Sequence, residues 1–473
     1  FVIYPKGKKP VAAHENAERD YVVMLSDFHE TGSDQIMANL KKSAEYYQNQ
    51  RETVGDVWKQ IKQQGLKATW QDRSMWNQMR MLKTDLSDVT GYTFLVNGKT
   101  PQQNWTGAFK TGEKVRLRFI NASAMSFFDV RIPNLKMTVV SADGQPVQPV
   151  SVDEFRIGAA ETYDVIVEPQ QAHYQIEAES IDRSGFAIAS LHNEMHPQSQ
   201  HKVHIPTARP RALLTMEDMG HGSHDQMDHS THQQMDHSMH GQMDHSSHQQ
   251  IDHSKHGQID HSAHQQMDHS KHNQMDHSAH QSHQSSTENQ KAKSKTVYGW
   301  ANAATPMGHK ALQYADLTSL TSQPDTRPAE RELVIRLGGT MERYIWTIDG
   351  KKFSDKDFEP LKVKYGERIR LKFVNESMMA HPMHLHGMFM QLENGQTAAN
   401  MPNKHTIVVP PGQTVTAMLT ADELGEWAIH CHLLFHMSAG MMSKLIVANV
   451  DDSNAAPQKT SIQSSQGASH AHH

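Results

Sequence analysis

Apolar and polar residues alternate over much of this chain. Lys114–Ile120 (Lys-Val-Arg-Leu-Arg-Phe-Ile), Thr162–Val167 and Tyr174–Ala178 repeat with period two, the spacing of strands with one buried face. Turn residues separate these runs, so Tyr21 to about Pro206 predicts the short strands of an all-β sandwich. A second β-rich segment runs from about Arg331 to Val450. In it Leu333–Leu337, Ile369–Val374 and His405–Val409 are strand-like, and Pro410-Pro411-Gly412 is a turn. One stretch follows the other period: Ile36, Leu40, Ala44 and Tyr47, then Val54, Trp58 and Ile61, fall at helical spacing. With Ser33-Asp34 as its candidate cap, it predicts a helical insertion over 33–65.

Between the two β-rich segments, residues 227–282 form seven tandem octapeptides of the pattern [Met/Ile]-Asp-His-Ser-x-His-x-[Gln/Ser]. No apolar face can form at this polarity, so the segment is expected to be disordered without metal. Phe1-Val-Ile-Tyr4 reads as the last strand of a domain whose earlier part is missing, and the polar tail ends in His470-Ala471-His472-His473. The expected division is therefore 1–8 as the end of a missing first domain and 9–207 as a second domain carrying the insertion. A linker at 208–310, a third domain at 311–450 and a disordered tail at 451–473 complete it.

Composition changes the picture at one point. The 473 residues hold 35 His and 28 Met, and fourteen of those His lie in the octapeptides. Imidazole and thioether suit copper, with Met favouring the cuprous ion. A net charge of −6 gives no basic field for nucleic acid. No apolar run is long enough to span a membrane. The single cysteine, Cys431, excludes a disulfide framework and a Cys-rich zinc site.

Two motifs carry candidate chemistry. The first is His381-Pro-Met-His384-Leu-His386-Gly387; the second is His430-Cys431-His432-Leu-Leu-Phe-His436-Met-Ser-Ala-Gly-Met441. In a strand, alternate side chains share a face. His430 and His432 then point one way and Cys431 the other, so one tripeptide can serve two metal sites with covalent bonds between them. Cys431, His436, His381 and Met441 supply one thiolate, two imidazoles and a weak thioether, the donor set of an electron-transfer copper site. His384 and His386 share a face and, with His430 and His432, gather four imidazoles suited to copper ions that bind dioxygen. A lone His-x-His is usually surface histidine, and a lone Cys near a Met is usually core. Here all the spacings hold together.

These motifs resemble the C-terminal signature of the multicopper oxidases. The Met richness, the His/Met repeats and Tyr92–Pro101 resemble their periplasmic copper-resistance branch. The resemblance implies cupredoxin-like Greek-key β-sandwiches, two of them complete here. It also implies type 1 copper on His381, Cys431, His436 and Met441, type 2 copper on His384, and binuclear type 3 copper on His386, His430 and His432. The implied activity couples one-electron oxidation of a small reducing substrate to four-electron reduction of dioxygen to water. Cuprous ion is the expected substrate, with phenols as an alternative. Cys431, His430 and His432 would link the two copper groups, and the setting would be copper resistance in a periplasm. The family also needs two further His-x-His motifs from its first domain. Outside the two motifs above, the sole His-x-His is His470-Ala471-His472 in the tail. The chain alone is thus expected to be inactive without the missing first domain. The other reading is a non-catalytic copper-sequestering protein whose repeats collect the metal. The repeats themselves have a bland reading too, as a solvated linker.

Overall fold

The computed structural model describes residues 16–44, 46–47, 54–67, 69–70, 87–197, 202–209, 305–340 and 343–449. The octapeptides, the tail and the N-terminal residues 1–8 lie outside them. Alternating burial builds the strands: Val115–Asn121 reads buried at every second residue, and Arg368–Asn375 follows the same rule after its first residue.

Eleven strands make the first sandwich: β1 Arg19–Phe28, β2 Thr93–Val96, β3 Trp105–Phe109, β4 Val115–Asn121, β5 Phe128–Arg131, β6 Met137–Ala142, β7 Gln145–Val152, β8 Glu154–Ile157, β9 Thr162–Val167, β10 His173–Ser180 and β11 Phe186–Asn193. Eleven more make the second: β12 Arg331–Thr340, β13 Ile345–Ile348, β14 Leu361–Lys364, β15 Arg368–Asn375, β16 His381–Leu385, β17 Met390–Leu392, β18 Asn403–Lys404, β19 Thr406–Val409, β20 Thr414–Thr420, β21 Gly425–Cys431 and β22 Met442–Ala448.

The sheet orders are β2-β1-β4-β9-β6-β7 and β3-β11-β10-β5-β8 in the first sandwich, and β13-β12-β15-β20-β17-β18 and β14-β22-β21-β16-β19 in the second. Adding eleven to each strand number of the first reproduces the second, so the two sandwiches are topological copies. The copy extends to side chains. Asn121 ends β4 and donates to the carbonyls of Ser126 and Ile157 while accepting the Ser123 N–H. Asn375 ends β15 and donates to the carbonyls of Met379, Val409 and Pro410 while accepting the Ser377 N–H. Each asparagine thus satisfies backbone groups where the chain crosses from one sheet to the other.

The insertion between β1 and β2 is helical, as its spacing predicts, but in two pieces: α1 Ser33–Lys42 and α2 Val54–Gln64. The cap differs from expectation. Gly32 occupies the N-cap without a side-chain bond, and Asp34 sits in the first turn, where its charge complements the helix dipole. Ile36, Leu40, Ala44, Tyr47 and Val89 join the same buried cluster as Trp346, Phe373 and Ile429. Helix α1 and the segment entering β2 therefore share a core with the second sandwich, whereas Val54 and Trp58 of α2 are exposed.

The margins of the expected linker also differ from the sequence reading. Ala311 bridges in parallel to Glu154, and Leu312 and Leu317 are buried in the core of the first sandwich. Residues 311–317 therefore complete the first sandwich, because apolar side chains there have that core to fill. Arg209 Nη1 donates to one Glu154 carboxylate oxygen (2.6 Å) and the Thr305 hydroxyl to the other (3.2 Å). Both sides of the undescribed stretch 210–304 thus meet on one side chain. Among the described residues no helix is long and apolar enough to cross a membrane.

Candidate metal centre

The first donor group grows out of the crossing after β15. Asn375 Oδ1 accepts the Ser377 hydroxyl proton (2.8 Å), so Ser377 Oγ is left to accept from His381 Nε2–H (2.7 Å). That fixes the tautomer and turns the Nδ1 lone pair inward. In the next strand, Met383 pairs with Cys431 and His384 with His430. After Cys431 the short helix α3, Leu434–Ser438, brings His436 back over the thiol. His436 Nε2–H donates to Asp88 Oδ2 (2.7 Å), which also accepts the Tyr344 hydroxyl (2.7 Å). Trp346 stacks on the His436 ring at 4.0 Å.

The inward atoms form a triangle: Cys431 Sγ to His381 Nδ1 3.6 Å, Cys431 Sγ to His436 Nδ1 3.8 Å, and the two Nδ1 atoms 3.2 Å apart. All three residues are fully buried. Two lone pairs aimed at each other cannot hydrogen-bond, and one thiol proton cannot serve both. A cation can. Metal–nitrogen and metal–sulfur bonds of about 2.0–2.3 Å require edges of about 3.5–3.8 Å in a trigonal plane, close to those observed. These three are the residues among the described ones whose donor atoms gather for a metal ion in this way. Met441 is buried beside them: its N–H donates to the His436 carbonyl, and its carbonyl accepts the Cys431 N–H. Burial pushes the Cys431 thiol well up, with the Asp88 charge adding to it. Burial, then the His436 ring, hold His381 well below the usual histidine range.

The second group lies on the opposite side of the Cys431 backbone. The rings of His384 and His386 are 4.8 Å apart, His384 and His430 5.6 Å, His384 and His432 5.7 Å, His386 and His430 5.3 Å, and His430 and His432 5.5 Å. His386 Nε2 and His430 Nε2 approach to 3.1 Å. Burial, then neighbouring imidazoles, push His384 down to about 3 and His432 down to about 4. Both are neutral near pH 7 and offer lone pairs. His432 Nδ1 is buried without a hydrogen-bond partner. Neutral imidazoles of this kind suit copper, but among the described residues the donor atoms of this group do not draw together as those of the triangle do. Gly387, at φ +79°, closes the first motif, and a Cβ there would overlap the Trp427 ring.

The structure thus gathers His381, Cys431 and His436 around one point, with Met441 alongside, and sets the rings of His384, His386, His430 and His432 next to one another. Three residues near these groups escaped the sequence reading. Asp88 holds His436. His405 lies 5.1 Å from the His384 ring. Asp143 accepts the His405 and Thr406 N–H groups. None sits in a recognisable motif, and Asp88 is 348 residues from its partner.

Comparison with known proteins agrees with this architecture. Two family models, each described as multicopper oxidase, match residues 19–196 and 326–451. Copper resistance protein A of Escherichia coli is 46% identical over 441 residues, covering 91% of this chain and 72% of that protein. Copper resistance protein A of Pseudomonas syringae pv. tomato is 49% identical over 445 residues, with 91% and 72% covered. Among solved structures, Fet3p, a multicopper oxidase that functions in iron import, superposes with a TM-score of 0.53 at 12% identity. That match covers 93% of this chain and 68% of Fet3p, and it shows the shared fold.

Proposed function

The chain belongs to the multicopper oxidase family, and from that premise we propose that it serves copper resistance by oxidising cuprous ion in the periplasm. Copper is the family's cofactor, and when bound it supplies one-electron transfer and the reduction of dioxygen to water. The residues of this chain divide that work. His381, Cys431, His436 and Met441 are the type 1 ligands, His384 the type 2 ligand, and His386, His430 and His432 type 3 ligands. The observation that carries this reading is the triangle of 3.2, 3.6 and 3.8 Å joined through the Cys431 backbone to His430 and His432.

Cys431 connects the two groups by covalent bonds alone, and complete burial keeps water off its sulfur. Asp88 places a buried carboxylate behind His436, and its Oδ1 has no hydrogen-bond partner. A negative charge there favours a cationic reductant over a neutral phenol. Four imidazoles do not suffice for the three-copper cluster of the family, so oxygen reduction draws further histidines from outside the residues assigned here. The octapeptides, with two His in every copy, act as copper collectors. They also favour the alternative reading, in which sequestration is the whole function.

Oxygen uptake with cuprous ion or a phenol as reductant decides between the two, measured on this chain alone and with an added N-terminal cupredoxin domain that carries His-x-His motifs. Turnover is expected in the second case and not the first, with His384→Ala abolishing it while the blue copper stays reducible. Four-electron turnover by the chain alone would refute the ligand count. Tight copper binding with no turnover in either case would favour sequestration.

A further inference from the structure

Resting on the assignment of His384 as a copper ligand, we propose that Asp143, on the sandwich that contributes no donor, is the positioning residue for that histidine. His384 is the one imidazole of its group whose outer nitrogen meets two acceptors: Nδ1–H faces the His405 carbonyl at 2.9 Å and Thr406 Oγ1 at 3.0 Å. By contrast, His430 Nδ1 meets a single carbonyl, that of Cys431, at 3.0 Å. Two acceptors hold the proton on Nδ1, so the Nε2 lone pair of His384 faces the other rings. The orientation of a donor is set by the bond its other nitrogen makes.

Residues 405 and 406 are themselves held from across the interface. Asp143 Oδ2 accepts the His405 N–H at 3.1 Å and the Thr406 N–H at 3.0 Å. Thr406 Oγ1 also lies 2.9 Å from His405 Nδ1, and its hydroxyl reaches toward the Ala160 carbonyl of the first sandwich (3.4 Å), so one of its two lone pairs serves His384. Asp143 is well placed to be rigid. It opens the tight turn between β6 and β7 at φ 49°, followed by Gly144 at φ 73°, and its Oδ1 accepts the Thr162 N–H at 3.0 Å. Both backbone angles are left-handed, which suits an Asp-Gly pair in a two-residue hairpin turn.

A buried cation locks the contact. Lys404, fully buried, places Nζ 3.1 Å from Asp143 and 3.1 Å from Glu161. It lies off the directed hydrogen-bond lines, so the contact is ionic. Its charge also sits over the Tyr163 and Tyr314 rings at 5.1 and 5.4 Å. Glu161 is oriented by the Gly158 N–H (2.8 Å) and the Tyr314 hydroxyl (2.6 Å). The Tyr314 oxygen in turn accepts the Val408 N–H at 2.9 Å. The strand that braces His384 thus reaches Asp143, Ala160 and Glu161 of the first sandwich and Tyr314 beside them. A lysine between two carboxylates fits one registry of the two sandwiches, the best-attested use of a buried ion pair.

The test is cupric-ion titration of the chain followed by electron paramagnetic resonance. His384-dependent copper is defined as the difference between wild type and His384→Ala, in which copper on the repeats cancels. Thr406→Val keeps the branched shape and removes the acceptor, Thr406→Ser keeps the acceptor, and Asp143→Asn removes the charge. The blue thiolate absorption is the internal control, because no variant touches His381, Cys431 or His436. We expect Thr406→Val and Asp143→Asn to weaken the His384-dependent copper about tenfold or more, the range seen when groups orienting a ligand are removed. Thr406→Ser should retain wild-type affinity, and the blue absorption should hold throughout. Loss in Thr406→Val without loss in Asp143→Asn overturns the role of Asp143. Equal loss of the blue absorption overturns it too, as it would mark general damage. If His384→Ala removes no copper, the ligand assignment beneath the proposal is overturned instead.

Discussion

Replacing Lys404 by Met removes one cation and leaves Asp143 and Glu161 facing each other in the interior. At 3.1 Å each pairing is worth about 5 kcal/mol at an effective dielectric of about 20, and most of that offsets the desolvation of three charges. The net effect of deleting one partner of such a buried group is about 3–5 kcal/mol of stability. For a domain of this size each kcal/mol moves the thermal midpoint by about 2–4 °C. Lys404→Met should therefore melt about 6–20 °C below wild type at neutral pH, read by circular dichroism or calorimetry. Neutralising the carboxylates as well, in a Lys404→Met/Asp143→Asn/Glu161→Gln chain, should recover much of the loss, since the unpaired charges are its cause.

The pH dependence gives a second reading of the same physics. Burial alone would raise the Asp143 carboxyl, but the charges of Lys404 and His405 and the N–H groups of Thr162 and Thr406 more than offset it, so it is held below the usual range. A carboxyl lowered on folding contributes stability above its unfolded pKa, and that contribution is lost as pH falls through the folded value. Without Lys404 the burial effect gains weight and the carboxyl moves up. Its charged form is then a burden that protonation relieves. The gap between wild type and Lys404→Met should narrow as pH drops from 7 towards about 4. A variant melting within about 2 °C of wild type at neutral pH, or a gap that widens in acid, would refute the reasoning.

Cys431→Ser should abolish the intense blue colour of the copper-loaded chain in visible absorption. Because burial keeps the Cys431 thiol protonated, copper must displace that proton. Affinity at the triangle should rise about tenfold per pH unit near neutrality, measured by chelator competition, and a flat profile would remove the thiolate from the donor set. Asp88→Asn weakens the acceptor behind His436 and should lower cupric affinity by about 10–100-fold, with a rise in reduction potential by redox titration because the cupric state loses more. Deleting 227–282 should reduce the copper bound at saturation, by elemental analysis, and leave the melting of the sandwiches unchanged, since Arg209 and Thr305 both end on Glu154. Unchanged stoichiometry would leave the repeats as a solvated connection.

What could be read from sequence followed periodicity and covalent spacing. The 162–167 strand coincides with β9, because a half-buried strand writes its own alternation. Both donor groups were legible for the same reason. Two-residue spacing sets the faces of His384, His386, His430 and His432, and one strand pairing, Met383 with Cys431, brings the motifs together. The duplication was not legible. Asn121-Ala-Ser123 and Asn375-Glu-Ser377 are too short to announce a repeat without the sheet orders. The strand registers show what stands in the first copy where the second has donors. Ile157 and Val409 both accept from these asparagines, and they pair with Phe128 and His381. Two residues further on, Val130 pairs with Ala178 and Met383 with Cys431. The first sandwich thus has an aromatic ring and a methyl group where the second has imidazole and thiol. Where the second pairs His384 with His430, the first pairs Arg131 with Glu177, joined by an ion pair of 2.8 Å.

That exchange explains why the first sandwich was hardest to read. A copy without donors has no motif, yet both donor groups lean on it. Asp88, on the segment entering β2, orients His436, and Asp143, on the β6–β7 turn, holds the backbone that orients His384. Each is a single acidic residue more than 200 positions from the histidine it serves, and a lone Asp in a turn has an ordinary local explanation. The proposed ligands are crowded into 61 residues, 381–441, because strand pairing and one short helix suffice to bring donors together. Fixing which nitrogen faces inward takes acceptors on the outer side of each ring. At the edge of a sandwich those acceptors come from whatever packs against it. The positions of the ligands are therefore local properties of the second sandwich, whereas their orientation belongs to the pair. Loosening the interface should thus disturb both donor groups, His384 through Asp143 and His436 through Asp88, while Ser377 and Asn375 of the same sandwich keep holding His381.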